Sequence, residues 1–242
     1  MYQHMILMCS DYTSERRIAL HKSYDDIYSL IDFQGIVKEI EDSFRNIQFS
    51  FHHIQTEKED SDSVVEYDKY FDGVYFYTDV EEFEGNLREA IKVTPEDITK
   101  YILTKKNFDK LQIQKLVYFV YIEYFKKHDE PLFEDKFVTW KYGPVIERLY
   151  HKFSKYKRQK IYLEDEELEK LKLKLKLSRV YGRDDILSCI DTVLDKYGDK
   201  SGGQLIDETH KEDSPWSKVY SKYGLNNVIS PEIIKEYSRS IL

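Results

Sequence analysis

Hydrophobic positions in the first third of the chain follow first a helical and then a strand period. A spacing of three or four residues, typical of an amphipathic helix, relates Ile36, Ile40, Phe44 and Ile47. Apolar and polar residues then alternate from Ile47 to Phe51, which predicts a half-buried strand. Residues 56–63 contain no apolar side chain, so we expect a loop there.

Two further strands and a helix are predicted before residue 93. Residues 64–67 and 74–77 are rich in β-branched and aromatic side chains, which favour strands. Asp79 can then cap a helix in which apolar residues repeat every four positions. This first part of the chain therefore predicts a small α+β module.

Helix-start signals dominate the rest of the chain. Thr94 offers a capping hydroxyl and is followed by a proline and an acid in the first turn of a helix. Asp109 offers a capping carboxylate, and Gln112 is placed to be its capping-box partner. Another helix is expected from Asp184 or Asp185 to Gly198, which would end it in the left-handed conformation. Short helices are predicted after three serines, Ser201, Ser214 and Ser230.

A small β element is expected inside this helical part. Residues 137–142 predict a strand that ends in a turn at Gly143, after which Pro144 opens a helix. Leucines and lysines alternate over residues 170–177, which favours a strand with one solvated face, although a helix continuing from Asp165 also fits. The predicted fold class is α+β, with a mainly helical second domain.

Charge changes sign along the chain. Residues 1–93 carry 9 basic and 20 acidic side chains (−11), and residues 94–242 carry 28 and 25 (+3), which together give the net charge of −8. This asymmetry predicts two domains, 1–93 and 94–242. The acidic one should repel a phosphate backbone, so we expect no nucleic-acid binding by it. A solvated acidic surface that aids solubility is the simpler interpretation.

The composition favours a cytoplasmic globular protein. Hydrophobic residues make up 41% and charged residues 34%, and no apolar run approaches the roughly 18 residues that a membrane span needs. Cys9 and Cys189 match no metal or redox spacing. His52 and His53 are adjacent on a predicted strand and should face opposite sides. We therefore expect no metal, no cofactor and no membrane association.

Three segments of the second domain, taken together, carry a family resemblance. They are residues 111–119 (LQIQKLVYF), residues 130–133 (EPLF) running on to 139–145 (TWKYGPV), and residues 209–216 (THKEDSPW). In this order and spacing they resemble the Panacea domain of SocA-like antitoxins, which also occurs in GepA-type proteins of phages and mobile elements. The resemblance covers about residues 94–225, and the acidic module lies outside it.

The resemblance implies an antitoxin and not an enzyme. Members of this family bind a cognate toxin protein directly, the toxin usually being encoded in the same operon, and at least one member delivers its toxin to a protease. If the toxin acts on RNA, its basic groove would attract the acidic module. The alternative is a phage or prophage counter-defence or proteolytic adaptor protein that binds a host effector, with the acidic module imitating nucleic acid.

Six residues of the resembling segments are the candidates for partner binding. The motif around Gly143 suits a strand end and a turn, and its aromatic side chains could also form a binding edge. The imidazole of the third segment could act as a base, but no nucleophile is identifiable near it, so a structural hydrogen bond is the favoured role. No catalytic residue is predicted. The partner-binding candidates are Trp140, Lys141, Tyr142, Pro144, His210 and Trp216.

Overall fold

A computed structural model describes residues 1–11, 16–180 and 182–237. Its contacts divide the chain into two compact units. The first unit comprises Met1–Lys92 with Leu175–Tyr181, and the second comprises Val93–Lys174 with Gly182–Leu242. The sequence places residues 175–181 in the second domain, whereas the contacts place them in the first unit. Among the described residues, no helix has the length and apolar character to cross a membrane.

The first unit is a four-stranded sheet with helices on both faces. The strand order is β3-β1-β2-β4, with β4 parallel to β2 and the other pairs antiparallel. The strands are β1 (Tyr2–Asp11), β2 (Arg16–Tyr24), β3 (Ser50–Thr56) and β4 (Val74–Tyr77). The helices are α1 (Leu30–Ser43), α2 (Ser61–Tyr67) and α3 (Val80–Ile91), with a short 3-10 turn at Lys69–Phe71.

Strand β1 is central and is buried on both faces. Met5 and Leu7 pack with α1 and α3 on one face, and Ile6 and Met8 pack with Val64 of α2 on the other. Because both faces are covered, the strand is a continuous apolar run without alternation. For this reason the sequence pattern indicated neither β1 nor its partner β2.

The second unit is mainly helical around one buried helix. Eleven of the nineteen residues of α5 are buried, on every side of the helix. The helices are α4 (Pro95–Lys105), α5 (Lys110–His128), α6 (Glu147–Lys152), α7 (Glu166–Leu177, which ends in the first unit), α8 (Arg183–Tyr197), α9 (Gly202–Thr209), α10 (Pro215–Tyr223) and α11 (Pro231–Tyr237). A three-stranded antiparallel sheet of order β6-β5-β7 completes it, formed by β5 (Phe137–Trp140), β6 (Gly143–Val145) and β7 (Val228–Ile229).

Two predicted strands are helices in the structure. Residues 64–67 belong to α2, because the Asp60 carboxylate accepts a hydrogen bond from the Ser63 amide at 2.9 Å and starts a helix within the predicted loop. Residues 170–177 belong to α7, the alternative that began from Asp165. There Leu173 and Leu177, one helical turn apart, are the buried leucines, while Leu171 is exposed.

One predicted helix start and one predicted backbone conformation are also wrong. Pro144 lies in the edge strand β6 and does not open a helix, since α6 begins at Glu147. A proline without an amide hydrogen is tolerated in an edge strand. Helix α8 ends before Gly198, as predicted, but Gly198 has φ −65° and not the left-handed conformation. The predicted α+β class is confirmed.

Candidate functional site

The turn between β5 and β6 closes against a buried lysine. Gly143 has φ +97°, a conformation that L side chains rarely adopt, and a Cβ placed there would lie 2.6 Å from Thr209 Oγ1 and 3.0 Å from Lys115 Nζ. Lys115 Nζ donates a hydrogen bond to the Pro144 carbonyl at 2.8 Å. Glycine at this position therefore allows the first, second and third resembling segments to meet.

Lys115 is enclosed by protein on all sides. Its side chain is fully buried on α5, and burial lowers the pKa of its amine from 10.5 to about 7. The neighbouring Gln114 holds the start of α6 in place, because its carboxamide accepts a hydrogen bond from the Ile146 amide at 2.9 Å and donates one to the Ile146 carbonyl at 3.3 Å. Two successive polar side chains of α5 thus position β6 and the start of α6.

An aromatic stack joins the third segment to the second. The imidazole of His210 lies on the indole of Trp216 with ring centroids 3.8 Å apart and planes at 9°, and Tyr220 stacks on Trp216 with centroids 4.5 Å apart. Trp216 Nε1 donates a hydrogen bond to the Trp140 carbonyl at 3.2 Å. Burial, and then the charge of Lys115, lowers the pKa of His210 from its usual value, so the neutral ring is favoured.

A cleft of about 900 Å³ opens beside this turn in the second unit. Its apolar lining includes Leu111, Val145, Ile206 and Leu225, and its aromatic lining comprises three residues, Trp140, Tyr142 and Tyr150. The Trp140 and Tyr150 rings meet edge to face with centroids 4.8 Å apart, and Tyr142 is exposed. This volume lies in the range of natural ligand sites and also suits a few side chains of a partner.

Basic side chains surround the cleft. In addition to the buried Lys115, four cations line it, namely Lys110, Lys141, Lys157 and Arg158. Lys110 Nζ lies 3.1 Å from the Tyr150 hydroxyl and 4.3 Å from the centroid of its ring. Among the lining residues Asp109 is the single carboxylate, and it accepts hydrogen bonds from the amides of Leu111 and Gln112 at the start of α5.

The structure divides the six predicted partner-binding residues into two groups. Trp140, Lys141 and Tyr142 line the cleft. Pro144, His210 and Trp216 lie behind it and support the turn through the Lys115 hydrogen bond and the aromatic stack. Their role in binding a partner stays a prediction.

Sequence reasoning missed several lining residues. Lys115 belongs to the first resembling segment, but lysine is a residue type that is rarely buried, so the helical pattern gives no sign that its amine is enclosed. Lys110, Tyr150, Lys157 and Arg158 come from chain positions that only the fold brings together. Lys157 and Arg158 also follow the 3-10 turn at Ser154–Tyr156. No sequence signal indicates that Lys157 has φ +51°.

The histidines of the first unit lie close to one another or to polar side chains. His52 and His53 sit on β3 and hydrogen-bond to Ser50 and Gln3, respectively. In the described parts of the chain, no group of three or more histidine, cysteine, aspartate or glutamate side chains is placed to hold a metal ion. His4 and His21 instead make a buried pair, with His4 Nδ1 2.8 Å from His21 Nε2.

Comparison with known proteins assigns part of the second unit. Residues 113–217 match the family model described as "Antitoxin SocA-like, Panacea domain". Searches of the curated proteins and of the solved structures found no significant match. The matched segment runs from α5 to α10 and contains the three meeting segments, with residues 111 and 112 of the first just outside it. The predicted resemblance is therefore confirmed, and residues 113–217 form a domain similar to the Panacea domain of SocA-like antitoxins.

Proposed function

We propose that this protein is an antitoxin that neutralises a cognate toxin by binding it directly in the cytoplasm. The observation that carries the proposal is the match of residues 113–217 to the SocA-like antitoxin domain. The partner is a protein, which we expect to be encoded in the same operon.

The geometry of the cleft supports binding through the second unit. Trp140 and Tyr142 offer aromatic contact area at the end of a strand, and the Gly143 turn behind them is fixed by Lys115 and Thr209. Rigid aromatic side chains bury large areas with little loss of side-chain entropy, so they are common anchors of protein interfaces. The motif therefore serves both the fold and the binding edge.

The contacts of His210 support a binding protein over an enzyme. Its ring is held against Trp216, and its carbonyl accepts a hydrogen bond from the Ser217 hydroxyl at 3.1 Å. These contacts support the junction of α9 and α10 through ring stacking and the backbone. The predicted hydrogen bond of the imidazole is not seen at Nε2, which is buried without a partner among the described residues. A folded His210→Ala variant should retain neutralisation, and its failure while still folded would support the catalytic alternative.

Expression of the flanking open reading frames tests the proposal. Each neighbour is expressed in a bacterial host with and without this protein, and growth and co-purification are recorded. The proposal expects one neighbour to arrest growth, this protein to restore it, and the two to co-purify. If no neighbour is toxic, the antitoxin function is wrong, and a host effector captured by the same chain would favour the counter-defence or adaptor alternative.

A further inference from the structure

Four cations line the cleft, namely Lys110, Lys141, Lys157 and Arg158. Elsewhere in the second unit many cations are paired, for example Lys106 with Asp199 at 2.6 Å and Lys218 with Asp213 at 2.6 Å. Within the described chain, no ion pair joins a carboxylate to Lys110, Lys141, Lys157 or Arg158. Positive charge is thus concentrated beside a concave surface and is not neutralised by the protein itself.

The cleft lining between the charged residues is mostly apolar and aromatic. Leu111, Val145, Ile206 and Leu225 give it apolar surface, and the Trp140 indole Nε1 is buried without a hydrogen-bond acceptor. An occupant that matches the cleft would therefore bring apolar atoms and one hydrogen-bond acceptor for the indole inward, and negative charge outward. An acidic peptide segment with an apolar or aromatic anchor has these properties.

A nucleic-acid strand fits this arrangement less well. Its negative charge lies along a continuous sugar-phosphate backbone, and its binding sites track that backbone with a basic groove. Here the cations surround one compact cleft whose other residues are mostly apolar. A protein segment can place aliphatic side chains against Leu111, Ile206 and Leu225 while its carboxylates meet the surrounding lysines.

We infer that the cleft between α5, the β5–β6 turn and residues 157–158 binds an acidic segment of a partner protein, anchored by an apolar side chain. The inference rests on the proposed function for the identity of that partner, the toxin. It names the toxin's contact segment by its chemistry: carboxylates flanking at least one large apolar residue. Charge complementarity of this kind speeds association and makes binding sensitive to salt.

Binding of a defined peptide tests the inference without the toxin. The probe is a fluorescein-labelled heptapeptide with glutamates around a central Leu-Phe pair, and fluorescence anisotropy is measured with the full chain. One control peptide replaces Leu-Phe with Ser-Ser, and another replaces every glutamate with lysine. We expect saturable binding of the probe below about 1 mM. Both controls should bind at least tenfold more weakly, and binding should weaken from about 50 to about 300 mM salt.

Two double variants with the same change of net charge test whether the probe binds in the cleft. Lys141→Glu with Arg158→Glu should reduce affinity for the probe at least tenfold. Lys136→Glu with Lys196→Glu makes the same change of net charge at exposed residues of the second unit that do not line the cleft, and should change affinity less than threefold. Circular dichroism confirms that all variants are folded.

Three results would overturn the inference. They are no probe binding, equal losses in the two double variants, and tighter binding of a ten-nucleotide oligouridylate than of the probe at the same site. The last result would make the occupant a nucleic acid. Because the assay contains no toxin, a chain that binds the probe but rescues no toxic neighbour would refute the proposed function and leave the cleft assignment intact.

Discussion

Burial of Lys115 makes the stability of the second unit depend on pH. The lowered pKa means that the folded chain must release a proton or bury a charge, whereas the unfolded chain keeps lysine protonated up to about pH 10.5. The resulting penalty is present in full below pH 7 and disappears as pH rises to 10.5. A difference of about 3.5 units corresponds to roughly 5 kcal/mol.

Lys115→Met should therefore stabilise the second unit near neutral pH. The gain is expected to be about 2–4 kcal/mol. It is smaller than the full penalty because the Pro144 carbonyl loses its hydrogen bond in the variant. It should fall towards zero or below by pH 10. Urea unfolding followed by fluorescence reports this unit alone, since both tryptophans, Trp140 and Trp216, lie in it. Lys141→Met, at an exposed position, serves as control, and a pH-independent effect of Lys115→Met would contradict the assignment.

Gly143 carries both a conformational and a steric requirement. Gly143→Ala should destabilise the second unit by about 3–4 kcal/mol, since the positive φ costs about 1–2 kcal/mol and the clash with Thr209 Oγ1 adds to it. Gly182→Ala, at φ +73° with no atom within 4 Å of the added Cβ, should show only the conformational part. Equal losses in the two variants, measured by urea unfolding, would show that the close approach is unimportant.

At the scale of single residues, the sequence identified the motif but not its surroundings. Trp140, Lys141 and Tyr142 belong to a segment that carries the family resemblance and adjoin a predicted turn, and all three line the cleft. Their contacts with Tyr150 and residues 157–158 depend on how the chain folds back after α6, which has no local signal. Local patterns therefore find turn residues, and tertiary structure decides what faces them.

Helix α5 begins at the cleft, so its cap links stability with binding. Asp109→Ala should cost about 1–2 kcal/mol, because the carboxylate accepts hydrogen bonds from two amides of the first turn. Asp109→Asn keeps an acceptor and should cost less than about 0.5 kcal/mol. Because it removes the single carboxylate of the lining, Asn should also raise affinity for the acidic heptapeptide about twofold to threefold. Unchanged affinity, measured by anisotropy, would argue against an electrostatic role.

Elements with local signals were predicted well. The capping boxes at Thr94 and Asp109 form as expected, and the caps at Asp79, Ser201 and Ser214 also accept the predicted backbone hydrogen bonds. The error at residues 64–67 missed the local cap at Asp60. The error at residues 170–177 arose where tertiary burial decides the structure. The alternation over residues 170–177 is compatible with a strand and a helix, and the burial of Leu173 and Leu177 on one face selects the helix.

On the scale of the whole molecule, acid should destabilise the first unit because protons bind its buried histidines. Burial lowers the pKa of His4 and lowers that of His21 to about 4, so the folded unit favours neutral rings. This stabilisation is complete above the unfolded pKa of about 6.5 and is lost as pH falls towards 4. For His21 the loss amounts to about 3 kcal/mol.

Hydrogen exchange measures this acid sensitivity in the right unit. Protection factors of β1 amides, corrected for intrinsic exchange, should fall between pH 6.5 and 4, and His21→Gln should flatten that fall. His53→Gln, at an exposed residue of β3, is the matched control. If the fall in protection is unchanged in His21→Gln, groups other than His21 cause the acid sensitivity.

Charge asymmetry along the chain indicated its division but not where binding occurs. Residues 1–93 total −11 and residues 94–242 total +3, and neither total shows that basic side chains gather at one cleft of the second unit. Net charge averages over a domain, whereas binding depends on which side chains the fold groups together. The proposed function rests on the family resemblance and not on the charge pattern.

The central claim is that this chain neutralises a toxin through the cleft of its second unit. The most direct measurement is growth rescue and co-purification with a toxic flanking gene product, comparing the unaltered chain, Lys141→Glu with Arg158→Glu, and Lys136→Glu with Lys196→Glu. We predict rescue and a stable complex for the unaltered chain and for the Lys136/Lys196 control, and loss of both for the cleft variant. Rescue by a folded cleft variant as complete as that by the unaltered chain would contradict the account.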